Sequence, residues 1–371
     1  MNAVPAWLPV GRPLLPPTDA VLPYLRAMDG NRWYANHGPL VRRLEERLVA
    51  HYGLSAGCVA TVASGTAGLT AALLAHEAAQ GGLCVLPSWS FVASAHAAIA
   101  AGLVPYFADV DAVGWALTPE GAQRAIEAAP GPVAAVMPVM PFGAPLDMAA
   151  WDRFAERTGL AVVVDGAAGF DALRPGRVPT VVSLHATKAL GVGEGGFVAS
   201  RDAALVRAVE DAANFGFLRQ REAERAGLNA KMSEVHAAVG LAALDLWPRT
   251  RAAFRAVAEA YAQALDGMPG VMGLRGAGAG WVSSTMVAVF DAPVADAVAG
   301  RLRERGIDTR AWWSKGIHRQ AAFRGHPSTP LPVTERLADG TLGLPFHADL
   351  PAVAVARVAE ALAGALREVR A

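Results

Sequence analysis

Between about residues 57 and 199, short and almost unbroken apolar runs alternate with alanine-rich stretches of helical length. The runs at 58–63, 83–87, 104–107, 133–138, 161–164, 181–184 and 196–199 predict strands. They lack polar alternation, so both of their faces are expected to be buried, as in a mainly parallel sheet sheathed by helices. Residues 67–76, 119–128 and 148–158 have helix-forming composition and fall between the runs. This is an α/β pattern.

Further on, Ser233 is a plausible N-cap with Glu234 in the first turn of a helix running to 246, where Pro248 is expected to interrupt it. A second helical stretch reaches 265, and glycine-rich residues 267–280 precede a strand, a helix, a strand and a closing helix at 351–370. These features predict a large domain over 1–247, including the N-terminal segment, and a smaller C-terminal α/β domain over 248–371. The uncharged stretch 91–108 contains His96, Gly102 and Pro105. A helix and then a strand explain it better than a membrane span.

Composition narrows the possibilities. With 53% hydrophobic and 18% charged residues, the chain has ample material for a buried core. Basic and acidic residues balance at 33 each, so there is no global positive field to hold nucleic acid or an anionic membrane. Cys58 and Cys84 lie in apolar stretches without CxxC spacing and predict buried, reduced thiols and no structural metal site. The proline-rich start has no basic region followed by a long apolar segment. A cytoplasmic protein without a signal peptide is therefore expected.

Of the 33 basic side chains only three are lysines, Lys188, Lys231 and Lys315. Arginine replaces lysine as a solvated charge but cannot act as an amine nucleophile, so each lysine is a candidate for chemistry. Lys188 stands where an apolar run breaks into the glycine-rich turn Gly191-Val192-Gly193-Glu194-Gly195-Gly196. That is where a strand delivers a reactive amine to the edge of a site.

Three further elements suit a lysine that forms a Schiff base. Ser64-Gly65-Thr66 follows a predicted strand and opens a helix; it can gather N–H groups around a phosphate, or be an ordinary strand-to-helix turn. Asp165 ends the buried run Val162-Val163-Val164, where it can pair with a pyridine nitrogen or cap the next helix. Phe91 can lie flat on an aromatic cofactor or belong to the core.

Phosphate turn, aromatic, aspartate and lysine, in that order, resemble the DegT/DnrJ/EryC1/StrS family of pyridoxal-phosphate nucleotide-sugar aminotransferases. The likeness extends through Asn31-Arg32-Trp33, Asn36-His37-Gly38-Pro39-Leu40, Asn214-Phe215-Gly216, Gly227 to Glu234, Gly306-Ile307-Asp308-Thr309-Arg310, His318 and Leu344-Pro345-Phe346-His347. It implies the aspartate aminotransferase-like fold (fold type I), a mainly parallel mixed sheet covered by helices plus a smaller C-terminal α/β domain.

It also implies roles. Lys188 matches the lysine that carries pyridoxal 5'-phosphate as a Schiff base, and Asp165 the aspartate at the pyridine nitrogen. Ser64, Gly65, Thr66 and Ser183 match phosphate contacts, and Phe91 the aromatic stacked on the ring. Asn229 matches an asparagine that reaches the neighbouring subunit's cofactor, which implies a homodimer with shared sites. The expected cycle takes an amino group from glutamate, passes through pyridoxamine 5'-phosphate and aminates a nucleotide-linked keto-deoxysugar.

Lys231 stands where most relatives carry arginine, and its segment resembles members that aminate C4 of the sugar. C4 is therefore favoured over C3. Lys231, His318 and the pair Trp312 and Trp313 are substrate candidates, with interface packing and an ordinary loop histidine as the competing readings. Ala168 departs from the family, which usually places histidine or glutamine there; His185 is a possible substitute. A sugar dehydratase is disfavoured by lysine at position 188, and a silent scaffolding relative by the retained Asp165, Lys188, Ser183 and Asn229. Lys315 is left without a role.

Overall fold

The computed structural model describes residues 6–217, 222–273 and 276–371. Leu274 and Arg275, inside the glycine-rich stretch expected at 267–280, lie outside the described residues. The main sheet is built from β1 (Val59–Val62), β2 (Leu83–Pro87), β3 (Val104–Ala108), β4 (Val133–Val136), β5 (Ala161–Val162), β6 (Val164–Asp165), β7 (Thr180–Ser183) and β8 (Gly196–Ala199). Two ladders, β3-β2-β4-β5 and β6-β7-β8-β1, meet where β5 runs into β6. Val163 N–H donates to the Val136 carbonyl at 3.1 Å and Asp165 N–H to Pro138 at 2.9 Å, so both ladders form one sheet. Only β8 runs antiparallel to its neighbours.

The near-continuous apolarity of these strands has a direct cause. Cys84, Leu86, Ala135 and Val163 point into a core shared with α3 (Gly65–Ala75) and α4 (Ala93–Ala100), as the elements are numbered along the whole chain after α1 (Thr18–Asn31) and α2 (Pro39–Tyr52). Their neighbours Val85, Val136, Val162 and Val164 point the other way, onto α5 (Pro119–Glu127) and α6 (Met148–Thr158). A strand covered on both faces has no solvent side to mark with polar residues.

Beyond α7 (Ala203–Ala213), the helix α8 (Glu234–Leu265) starts where expected, with Ser233 Oγ accepting from His236 N–H at 3.3 Å. The expected break does not occur. Pro248 lies inside one continuous α8, which crosses the boundary expected at 247. Proline removes one ladder hydrogen bond, but Leu241, Leu244 and Trp247 before it and Phe254, Val257 and Tyr261 after it are buried in the same core. That shared burial holds the helix together.

The smaller sheet, β11-β10-β9, is antiparallel and consists of β9 (Val271–Gly273), β10 (Met286–Phe290) and β11 (Thr341–Leu344), packed with α9 (Ala295–Glu304), α10 (Pro332–Gly340) and α11 (Ala352–Arg370). The N-terminal segment associates with this part of the chain: Leu8 N–H donates to the Gly306 carbonyl at 2.8 Å, and Phe346 N–H to Val10 at 2.9 Å. Lys315 is a structural clamp, its Nζ 2.9 Å from Asp296 and 3.1 Å from Asp339. Cys58 and Cys84 are buried and unpaired, and burial pushes the Cys84 thiol up to about 12. Among the described residues no helix is long and apolar enough to cross a membrane.

Candidate active site

The carboxyl ends of the parallel strands converge on a cavity of about 680 Å³. After β1, Ser64 caps α3 by accepting from Ala67 N–H at 3.2 Å, which leaves the first N–H groups of α3 facing the cavity beside Thr66. Gly65 is required by close approach: a Cβ there would sit 3.0 Å from that of Ser183 at the end of β7. Ser64, Gly65, Thr66 and Ser183 therefore line one corner.

Asp165 closes the floor at the end of β6, 5% exposed. Its Oδ1 accepts from Ala167 N–H at 3.0 Å and its Oδ2 from Ser94 Oγ at 2.6 Å. Burial pushes its carboxyl above the usual range, opposed by these hydrogen bonds and by Lys188. Lys188, half-buried, lines the same cavity. Burial lowers the affinity of its amine for a proton, and the nearby Asp165 partly restores it. This is the environment a nucleophilic amine needs.

Phe91 lines the cavity and is 58% exposed, so its ring is a platform rather than core. Trp312 and Trp313 form part of the wall. Trp313 is stacked on Phe142 at 4.0 Å and 11°, which occupies one of its faces, and Trp89 meets it edge-on at 5.2 Å. Trp312 carries the Arg310 guanidinium 5.4 Å from its ring centre.

Three candidates stand elsewhere. His318 is outside the cavity lining, with Nδ1 2.7 Å from Ser88 Oγ, and fastens the 316–318 turn to the end of β2. Asn229 and Lys231 are also outside the cavity of their own chain. Lys231 Nζ donates to Asn229 Oδ1 at 2.7 Å and lies 4.3 Å from the Phe215 ring centre. For Asn229 this agrees with the resemblance, which implies a reach toward a neighbouring subunit; for Lys231 and His318 nothing in the sequence announces it. His185 sits at the cavity rim, bonded to Thr187 Oγ1 at 2.8 Å and 3.6 Å from Glu194.

Several lining residues were not singled out as site candidates, including Arg12, Ser90, Phe142, Arg310 and His347. Arg310 and His347 were present in the family motifs. Phe142, by contrast, comes to the wall through a left-handed backbone at φ 52° that no local pattern announces.

The residues present fit pyridoxal phosphate. A helix N-terminus with three hydroxyls faces one corner, a buried carboxylate lies on the floor, an amine stands in the same cavity and an open aromatic face lines it. Together with the sheet they define a pyridoxal-phosphate-dependent aminotransferase of fold type I. The sequence model of the DegT/DnrJ/EryC1/StrS aminotransferase family matches residues 18–363, and the chain belongs to that family.

Among relatives, the chain is 27% identical to the dTDP-4-amino-4,6-dideoxy-D-glucose transaminase of Escherichia coli, over 96% of this chain and 98% of that one. It is 30% identical to the UDP-N-acetyl-3-dehydro-α-D-glucosamine 3-aminotransferase of Acidithiobacillus ferrooxidans, over 86% of each. The crystal structure of DesI in the presence of its TDP-sugar product superposes with a TM-score of 0.88 at 33% identity, covering 100% of this chain and 96% of that one.

Proposed function

We propose that this protein transfers an amino group, with glutamate as donor, to C4 of a nucleotide-linked keto-deoxysugar. The setting is the cytoplasmic biosynthesis of a polysaccharide, a lipopolysaccharide or a glycosylated natural product. The observation that carries the reading is the pairing of Lys188 and Asp165 in a cavity of about 680 Å³, large enough for a cofactor and a sugar nucleotide. The named activity of the E. coli relative and the TDP-sugar product of DesI support the substrate class. The A. ferrooxidans relative keeps amination at C3 as the second reading.

When bound, the cofactor supplies an electron sink for the carbon that loses its proton. Asp165 holds the positive charge of the pyridine nitrogen, and the corner of Ser64, Gly65, Thr66 and Ser183 holds the phosphate. With the cofactor bound, Lys188 would take the proton from the donor's α-carbon and pass it to the cofactor carbon beside it, and would carry a proton the opposite way when the sugar is aminated. Burial lowers that amine's affinity for a proton, which favours the form able to accept one. Trp312, Trp313 and Arg310 offer aromatic surface and positive charge to the nucleotide.

The test is turnover with glutamate against nucleotide-linked 3-keto and 4-keto-6-deoxyhexoses, the aminated carbon being located by NMR. Product aminated at C4 is expected. Amination at C3 alone would move the assignment to the second reading, and no amination of either would sink both.

A homodimer with shared sites is part of the same proposal. Asn229 and Lys231 lie on a surface continuous with exposed apolar side chains: Phe215 is 46% exposed, Trp33 49%, Tyr34 52% and Val235 44%. Glu234 N–H donates to the Tyr34 carbonyl at 3.1 Å, tying the two parts of this face together. A second copy covers it and receives Asn229 and Lys231 at its own cofactor. Equal mixing of Lys188→Ala and Asn229→Ala protomers, each nearly inactive alone, is then expected to restore roughly a quarter of wild-type turnover after exchange. Activity no greater than that of the separate variants would argue for sites complete within one chain.

A further inference from the structure

Beside Asp165 lies a pair of serines that the reaction as described does not use. Ser94, in the first turn of α4, is fully buried, and Ser90 is 1% exposed. Ser94 Oγ is 2.6 Å from Asp165 Oδ2, 3.1 Å from Ser90 Oγ and 3.3 Å from the Phe91 carbonyl. The contact to Phe91 is what a serine in a first helical turn commonly makes. A short bond to a buried carboxylate 71 residues away is not local turn chemistry.

Counting protons gives the chain a direction. A hydroxyl has one proton, and an ionised carboxylate only accepts. Ser94 donates that proton to Asp165 in the short, charge-assisted bond, so at the 3.1 Å contact Ser94 is the acceptor and Ser90 the donor. We propose that Ser90 and Ser94 form a directed hydroxyl chain that fixes and supports the Asp165 carboxylate facing the cofactor ring, making both serines positioning residues of the reaction. Ala167 N–H holds the other oxygen at 3.0 Å, so the carboxylate is gripped from both sides. With its proton donated to Asp165, Ser94 has none left for the Phe91 carbonyl 3.3 Å away. Burial disfavours the charge on Asp165. Loss of a donor therefore weakens its hold on the proton at the ring nitrogen.

The proposal rests on the cofactor assignment and not on the identity of the sugar. Holoenzyme is reconstituted with pyridoxal phosphate labelled with ¹⁵N in the ring, and the nitrogen's chemical shift is followed against pH. In the wild type the protonated signal is expected to persist to high pH. In Ser94→Ala the nitrogen loses its proton at distinctly lower pH, with turnover down by about tenfold or more. Ser90→Ala moves the titration the same way by less, and Ser94→Thr, which keeps the hydroxyl, stays near wild type.

A Ser94→Ala enzyme with the wild-type nitrogen titration would overturn the proposal whatever its turnover, since a merely structural serine alters rate without moving that proton. If Ser94→Ala does not retain cofactor, Ser90→Ala decides, and an unshifted titration there overturns the chain. A wild-type protein that takes up no labelled cofactor would overturn the cofactor assignment, and this proposal with it.

Discussion

Lys188→Ala is expected to lower transamination by at least about 10⁴-fold while leaving cofactor binding largely in place. The loss is large because the proposed function gives one amine two tasks, anchoring the cofactor covalently and carrying the proton. The other two amines are already engaged: Lys315 by Asp296 and Asp339, away from the cavity, and Lys231, which the proposed dimer brings to the partner's site, by Asn229 Oδ1 at 2.7 Å. Lys188→Arg is expected to fail as completely, because guanidinium keeps a charge and supplies no nucleophilic amine. Borohydride reduction provides an independent reading. Wild-type protein should retain the cofactor through denaturation and both variants should release it. Turnover by Lys188→Ala at the wild-type rate would remove Lys188 from the mechanism.

Asp165→Asn is expected to reduce activity about a thousandfold and yet to stabilise the protein freed of cofactor. Without the cofactor's positive nitrogen, the Asp165 charge is buried, and burial raises its carboxyl above the ordinary value. A raised folded-state pKa contributes stability that is present below the unfolded value and is lost as pH rises through the folded value. At neutral pH the ionised group is therefore a cost. Asparagine is nearly isosteric and neutral, and Ser94 can turn its hydroxyl to accept from it. The variant should be more stable than the wild-type apoprotein at neutral pH and no more stable in acid. Thermal unfolding of both apoproteins across that range measures this. Equal stabilities at neutral pH would show that the hydrogen bonds from Ser94 and Ala167 already offset the burial cost.

The strands of the main sheet were legible because burial on both faces writes a simple apolar code. Residues 83–87 and 196–199 form strands with the expected bounds. Asp165 and Lys188 were legible for a related reason, since each is a polar group placed where such a run ends. Helices α1, α2 and α7 were not picked out by periodicity. α1 has no side-chain cap and contains Pro23. α7 did carry a signal, as Asp202 accepts from the N–H groups of Ala204 and Leu205 at its start. Pro248 misled because a local rule about ladder hydrogen bonds was outweighed by burial along both halves of α8.

What the sequence by itself determined is the alternation of buried strands and helices, the family and the cofactor; it also singled out Lys188 and Asp165, which line one cavity. These depend on residue type and on order along the chain, and order is what a sequence records. Only the tertiary structure decided that His318 serves a loop through Ser88, that Phe142 covers one face of Trp313, and that Lys231 stands outside its own cavity. It also brought Ser94 to Asp165 across 71 residues. The physical reason is that a hydrogen bond or a stacked ring depends on distances of a few ångströms between segments far apart in the chain, and no local pattern carries those distances.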